Sequence, residues 1–472
     1  MRDYIVVGGG MGGVLSAAIL SKENSVLLLE KEPYLGGCAS TFSRGGHSYN
    51  SGATTLAMYE KGLPVYEMFE MAGFEPKTKL LECSHIAIQG SHRIKLFSDV
   101  DRFVGELDYA HYHPKNMEFW HLVKKVCDDF YSQKGYVHSG KDFRSKVKSA
   151  ISFVPSVVKF FPYLTRNAED FICEFFGNGL SEAYMDFLDA QTMVAVQAKT
   201  SKINFLTAAL ALGYPFFGNH YVFGGMGALF DGLSQNIRDV RLKSNVCAIT
   251  KTSKGYAVKT DDSYYESRRV ILNTPVFSSS NLFDKGEIKN YFESHRRLDS
   301  KQSAFVVYMK LKSSKDYSHH YQIIEKENFI YTISNAAFVS FSDKGDEVLS
   351  KDGYLSVTVS VHTLTDFWLG IEKQEYNKRK KELTDEVVSS ICAKLGIQNY
   401  EIADVFAATP KTFERYIGRS SLGGVVMTPS NQLRLVSNDT PFEGLFVVGD
   451  TSFAAQGWPG VAMGVRNFLC LT

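Results

Sequence analysis

At 472 residues the chain exceeds one ordinary domain and is expected to fold as two or three. Hydrophobic residues make up 44%, enough for a sizeable core, which excludes a globally disordered chain. A formal net charge of +1 argues against nucleic acid as the main partner.

Residues 4–7 (Tyr-Ile-Val-Val) predict a buried strand, 12–22 a helix with Leu15, Ala18 and Ile19 on one face, and 25–29 a second buried strand. The parallel-strand signature stops near residue 75, and residues 100–192 read as mainly helical. Within them, 141–166 carry Lys141, Arg144, Lys146, Lys148, Lys159 and Arg166 against one acid, Asp142, with Phe153, Phe160, Phe161 and Tyr163 interleaved. Pro155 and Pro162 argue against a single continuous helix there. From 221 the pattern returns to α/β: a helix opens at Gly224-Gly225-Met226-Gly227, a short strand follows at Val246–Ile249, then a hairpin and the apolar strand Val270-Ile271-Leu272. Residues 303–365 alternate as antiparallel strands. Residues 371–395 predict one helix with Leu383, Val387, Val388, Ile391 and Leu395 inward and Gly396 at its end. The chain closes with a strand at Leu445–Val448 and a Gly-rich turn into a last helix.

Gly8, Gly10 and Gly13 form GxGxxG between the first strand and the first helix. The spacing serves a tight turn, a close backbone approach to a pyrophosphate, and close packing of helix on strand. The helix N-terminus, through Met11 and Gly12, offers free N–H groups to phosphates. Glu30, 17 residues past Gly13 and followed by Lys31, ends the second strand where a carboxylate accepts ribose hydroxyls. Strand, glycines, helix, strand and acid in register predict a dinucleotide site. That acid would also serve NAD. FAD is favoured by Gly36-Gly37 with Ser40 and Thr41 behind it, and by Gly449-Asp450 after the late strand, with Gly457, Gly460 and Gly464 beyond. FAD adds a ribityl chain and a tricyclic ring, so a late acid and a second helix N-terminus suit it. The plain alternative for Asp450 is an ordinary helix cap.

On these residues the chain resembles the phytoene desaturase, carotenoid isomerase and retinol saturase group of flavoproteins, within the wider amine oxidase-like superfamily. The resemblance runs from end to end. It is carried by residues 6–13, Glu30, Leu35-Gly36-Gly37, Gly52-Ala53-Thr54-Thr55 and 224–229, then by Thr409-Pro410-Lys411-Thr412-Phe413-Glu414-Arg415-Tyr416, 445–451 and Gln456-Gly457-Trp458-Pro459-Gly460-Val461. It implies an α/β fold with an α+β second domain: a Rossmann-like FAD-binding domain assembled from 1–75, 195–275 and 405–472, and a substrate domain of antiparallel sheet plus helices from 76–194 and 276–404. It also implies non-covalent FAD and long conjugated or isoprenoid lipid substrates drawn from a membrane. Carried over by position, Val246 would contact adenine, and Gly457, Val461 and Met463 would lie against the isoalloxazine. One departure is Asn50, where many relatives carry Asp. No residue transfers as an acid or base.

A polyene reaction on flavin depends on holding a flat apolar chain against the ring and excluding water. The 13% aromatic content suits that lining, and equally suits a large core. The basic aromatic stretch is the expected membrane-facing surface, with Phe153, Phe160 and Phe161 entering the lipid, or else a solvated basic lid. His111, His113, His319 and His320 show no metal spacing and are expected at the surface, so no metal is predicted. His47 is a possible proton relay, though a structural role is favoured. Cys38 is expected to pack as a small hydrophobe. Seven scattered cysteines without CxxC, a strand near the first Met and no long apolar run predict a cytoplasmic protein with at most peripheral membrane contact. The expected activity is FAD-dependent desaturation, saturation or isomerisation of a carotenoid-like polyene or other isoprenoid lipid. Rival readings are an amine or porphyrinogen oxidase, and a flavin-free prenyl-lipid carrier of the GDP-dissociation inhibitor type.

Overall fold

The computed structural model describes residues 1–133, 137–177, 179–430, 435–454 and 456–472. Two large mixed sheets organise the chain. The first runs Asp239–Arg241, Val26–Leu29, Arg2–Val7, Tyr264–Leu272, with parallel neighbours throughout. Leu445–Val447 joins the far half of Tyr264–Leu272 in parallel, and the antiparallel pair Gly255–Thr260 and Val246–Thr252 continues from its near half. Strands buried on both faces explain the continuous apolar runs Ile5-Val6-Val7, Val26–Leu29 and Val270-Ile271-Leu272, all essentially inaccessible to water.

The second sheet is ordered Ile402–Ala408, Gln302–Leu311, Leu355–Leu364, Ala336–Phe341, His320–Ile324, Cys83–Gln89, His92–Phe97. Every pair is antiparallel except His320–Ile324 with Cys83–Gln89. The helix Lys373–Leu395 covers one face through Leu383, Val387, Ile391 and Leu395, and ends at Gly396 in the left-handed conformation, as its periodicity predicts. The hairpin of Cys83–Gln89 and His92–Phe97 lies in a stretch that periodicity left unassigned.

Next in the chain come the helices Val100–His111, Asn116–Tyr131, Phe143–Leu164, Ala168–Phe176 and Glu182–Val196. Phe143–Leu164 is one helix, against the break expected from Pro155 and Pro162. Each proline removes one bond to the carbonyl four residues back, at Ile151 and Val158. Both residues are exposed, so water can take the freed acceptors.

Polar contacts also hold the second sheet to the strand Asn219–Val222 and the turn that follows it. Asp346, buried, accepts from the Tyr221 hydroxyl at 2.6 Å and the Gly224 N–H at 2.9 Å, while its other oxygen takes the N–H groups of Val348 and Leu349 at 2.9 and 3.0 Å. It ties the Gly224-Gly225 turn to the second sheet. Replacing Asp346 with Ala leaves four donors without their acceptor. The expected loss is roughly 2–3 kcal/mol, seen as a lower midpoint in urea unfolding; an unchanged midpoint would show that the tie carries no stability.

Candidate functional site

A cleft of about 570 Å³ runs along the carboxyl ends of the parallel strands, where open α/β sheets bind ligands. Its walls come from Val7 to Gly12, Leu29 to Glu32, Tyr34 to Ala39, Ser244 to Val246, Asn273 to Pro275, Ile417 to Arg419, and from Gly449, Asp450, Gly457, Trp458 and Val461. Of the residues predicted from sequence, Gly8, Gly10, Met11, Gly12, Glu30, Lys31, Gly37, Val246, Gly449, Asp450, Gly457 and Val461 line it. Gly13, Ser40 and Met463 do not. Gly13 packs so closely on the Gly8 carbonyl that a side chain there would overlap it. The Ser40 hydroxyl is turned to Ser51, and Met463 is buried in the core.

The two glycine loops meet. A Cβ on Gly12 would stand 2.9 Å from the Gly449 nitrogen, although the residues are far apart in sequence. Asn273 is wedged between them: its Nδ2 donates to the Gly8 carbonyl at 3.3 Å, and its Oδ1 would lie 2.9 Å from a Gly12 Cβ and 2.8 Å from one on Gly449. The sequence reading missed Asn273. Its signal was a polar residue directly after the apolar strand Val270-Ile271-Leu272.

Two helices start at this cleft without a side-chain cap and without an acid in the first turn: Met11–Leu20, capped by Gly10, and Gly457–Leu469, capped by Gln456. Their first N–H groups and dipoles are free for anionic or electron-rich groups. At the other end Glu30 accepts from the Gly9 N–H at 2.6 Å and the Glu32 N–H at 2.9 Å. Burial pushes its carboxyl pKa up, against the pull of these two donors. Lys31 lies beside it, 3.3 Å from Glu32.

Asp450 does not stand free. Arg419, another residue missed from sequence, donates from Nη1 to both its oxygens at 3.0 and 3.1 Å, and from Nε to the Ser421 carbonyl at 2.7 Å. Burial opposes the guanidinium charge most strongly, yet Asp450, together with Cys38 and Asp299, turns the balance and raises the pKa. The Nη2 of Arg419 is buried with no acceptor among the described residues. An unpaired guanidinium nitrogen on a cleft wall is a donor awaiting an acceptor atom.

Other candidates fall outside the cleft. His47 is buried, its Nε2 2.9 Å from the Ser356 hydroxyl, and burial lowers its pKa, so it is a neutral structural residue. The histidines expected at the surface are a correction. His111 is buried against Gln89 at 2.8 Å, and burial pushes its pKa down to about 4. His320 is buried with Ser340 at 2.8 Å and with Thr55, and His319 is half-buried between the Thr54 and Phe341 carbonyls. Hydrogen-bond partners supplied by the second sheet compensate their desolvation. Among the described residues no group of three or more His, Cys, Asp or Glu gathers as a metal site. Cys38 lines the cleft, but burial pushes its thiol up to about 11, leaving it protonated and inert. Asn50, at the position of departure, accepts from the Thr41 hydroxyl at 2.9 Å and the Met226 N–H at 2.8 Å, a holding role for the 224–227 turn.

The cleft fits FAD on its own chemistry: glycine-walled where a pyrophosphate must approach backbone, with two uncapped helix starts, an acid at one end and an orphaned guanidinium nitrogen on its wall. Comparison with known proteins agrees. The model of the family described as flavin containing amine oxidoreductase matches residues 11–465. Prolycopene isomerase of carrot (Daucus carota) is 23% identical over 98% of this chain and 78% of its own length. Human all-trans-retinol 13,14-reductase is 39% identical over 13% of this chain and 10% of its own. A solved oxidoreductase from Methanosarcina mazei shares the fold with a TM-score of 0.63 at 17% identity, covering 99% of both chains. The chain thus belongs to the flavin containing amine oxidoreductase family and is an FAD-dependent oxidoreductase.

Proposed function

We propose that this enzyme acts on a carotenoid-like polyene or another isoprenoid lipid, and that the cleft between residues 8–12 and 449–461 is its FAD site. The reading is carried by the contact of Gly12 with Gly449 around Asn273, which brings both dinucleotide motifs to one cleft. The end-to-end likeness to a prolycopene isomerase supports the substrate class. In this reading 1–75, 195–275 and 405–472 form the FAD-binding domain, and 76–194 with 276–404 the substrate domain.

Within the site, Glu30 and Val246 hold the adenosine end, and the start of Met11–Leu20 with Gly8, Gly10 and Gly12 receives the pyrophosphate. Gly37, Gly457 and Val461 flank the ring. Gly13 keeps helix and strand close enough for that approach. Ser40 and Met463 support from behind, through Ser51 and the core respectively. Bound FAD supplies the capacity to accept or return a hydride. The chain's own part is positional: Trp458 and Val461 offer apolar walls, and Arg419, held by Asp450, presents a fixed cation without water having to reorganise.

The lipid reading requires a route to a membrane, and the helix Phe143–Leu164 supplies one. Phe143, Val147, Ile151, Val154, Val158 and Phe161 recur on one face, with Phe143 80%, Ile151 65% and Val158 70% exposed. Arg144, Lys146 and Lys148 beside them have no ion-pair partner among the described residues, whereas Lys159 is held by Asp129 at 2.8 Å and Arg166 by Glu174. Of the three aromatics expected to enter lipid, Phe161 alone faces out. Phe160 is buried, and Phe153 packs on His138 and Phe453. The helix is too polar to cross a bilayer, and among the described residues no helix is long and apolar enough to do so. It is suited to lie on an anionic surface.

Three outcomes are expected. Purified protein should be yellow, and expression in a carotenoid-producing bacterium should change its pigment profile; an unchanged profile across several precursors would count against the polyene substrate. Asp450→Ala should strand Arg419 and cost roughly 2 kcal/mol of apo-protein stability after allowance for partial exposure. Adding Arg419→Gln should restore most of that stability without restoring FAD retention on gel filtration; full flavin content in either variant would refute the assignment. Finally, Ile151→Glu with Val158→Glu should weaken co-sedimentation with phosphatidylserine vesicles at least about tenfold without changing the melting temperature, and equal binding by the variant would dismiss this helix as the docking face.

A further inference from the structure

A second cavity, of about 460 Å³, opens at the end of the Glu182–Val196 helix. Its wall is apolar, from Met193, Leu298 and Val426, all buried, with Ile333 beside them. Around it stand three cations: Lys199 and Lys202 from the turn after the helix, and Arg297 from the segment next to Leu298. Lys202 and Arg297 are exposed, and neither has a carboxylate partner among the described residues. The acids nearby in sequence are engaged elsewhere. Asp299 is bound by Lys301 at 2.9 Å, and Asp189 accepts from the Thr200 N–H at 2.8 Å and its hydroxyl at 2.6 Å. Asp186 lends Lys199 a weak electrostatic contact.

Two further features make this more than a solvated basic surface. Gln302 lines the cavity with its Oε1 buried and without a partner among the described residues. A buried acceptor without a donor is costly, and Gln302 can turn either its oxygen or its amino group to a ligand. The cavity also abuts the dinucleotide cleft. Gln197, in the left-handed conformation at the end of the helix, lays its amide directly on Gly423, so that any side chain at 423 would overlap it. Gln197 lines the second cavity and Gly423 lines the first. The two cavities thus approach each other at the contact of Gln197 with Gly423.

We infer that the second cavity takes the anionic head group of a long-chain lipid, a carboxylate or a phosphate, while the apolar chain passes Gln197 toward the dinucleotide cleft. This rests on the isoprenoid or polyene lipid reading above and narrows it from neutral to acidic lipids. The physical basis is that Lys199, Lys202 and Arg297 supply charge-assisted donors at the mouth, and the buried wall supplies none, so head and tail are sorted along one axis. An uncharged chain would gain nothing from Lys202 and Arg297, which have no carboxylate partner among the described residues.

The test uses the yellow, FAD-loaded enzyme and two matched pairs of probes: a fluorescent conjugated-tetraene fatty acid with its methyl ester, and farnesyl phosphate with farnesol. Titration should show at least one acid bound roughly tenfold or more tighter than its neutral partner. The responding pair identifies the head group as carboxylate or phosphate. In Lys202→Gln with Arg297→Gln the preference should fall to near unity, with flavin content and melting temperature as in the parent. Equal binding of acid and neutral partner in both pairs overturns the inference and leaves the lipid reading standing. A preference that survives in the double variant also overturns it. Failure of every probe, neutral ones included, to bind yellow protein removes both.

Discussion

The close approach of two backbone loops, at Gly12 and Gly449, is the constraint on which the site depends. Neither loop can carry a side chain there, because the Asn273 amide already fills the space between them. Asn273 follows the strand Tyr264–Leu272, which pairs with Arg2–Val7 on one side and Leu445–Val447 on the other. Three strands from distant parts of the chain therefore deliver three loops to one point. The dinucleotide cleft is the space left over, and both uncapped helices begin at its edge.

Charge inside the cleft is arranged by the same convergence. Arg419 and Asp450 are brought together by separate segments, and each makes the burial of the other tolerable. The pair explains why a half-buried carboxylate can sit after the last strand without acting as a simple helix cap. It also leaves one guanidinium nitrogen without an acceptor among the described residues. Away from the cleft, many buried polar groups are engaged: Asp346 takes four donors, and His47, His111 and His320 have hydroxyl or amide partners. Of the described buried atoms without a partner, those of Arg419 and Gln302 belong to residues that line the two cavities.

The legible part of the fold was the part written in local pattern. Strands buried on both faces, such as Val26–Leu29, must be continuously apolar, and a helix lying on one sheet, such as Lys373–Leu395, must show its stripe. The hairpin at 83–97 was passed over because its pattern mixes His, Arg and Lys with the apolar residues, and its partner strand His320–Ile324 lies far along the chain. The helix Phe143–Leu164 was misjudged because proline costs were weighed without knowing that its outer face meets water. The histidines were misjudged for the opposite reason: what makes their burial tolerable is hydrogen bonding to residues distant in sequence.

By itself the sequence determined the cofactor class, since a glycine fingerprint works through backbone geometry that is local to a dozen residues, and an acid at a strand end needs no distant partner to be read. It also determined that two far-apart glycine turns were available to share one ligand. Only the tertiary structure decided that they touch, that Asn273 and Arg419 belong between them, which aromatics of the basic helix face outward, and that Gln197 stands between two cavities. Those are relations between side chains brought together by sheet pairing and packing. No spacing along the chain encodes them, because the contacts that fix them run across the fold.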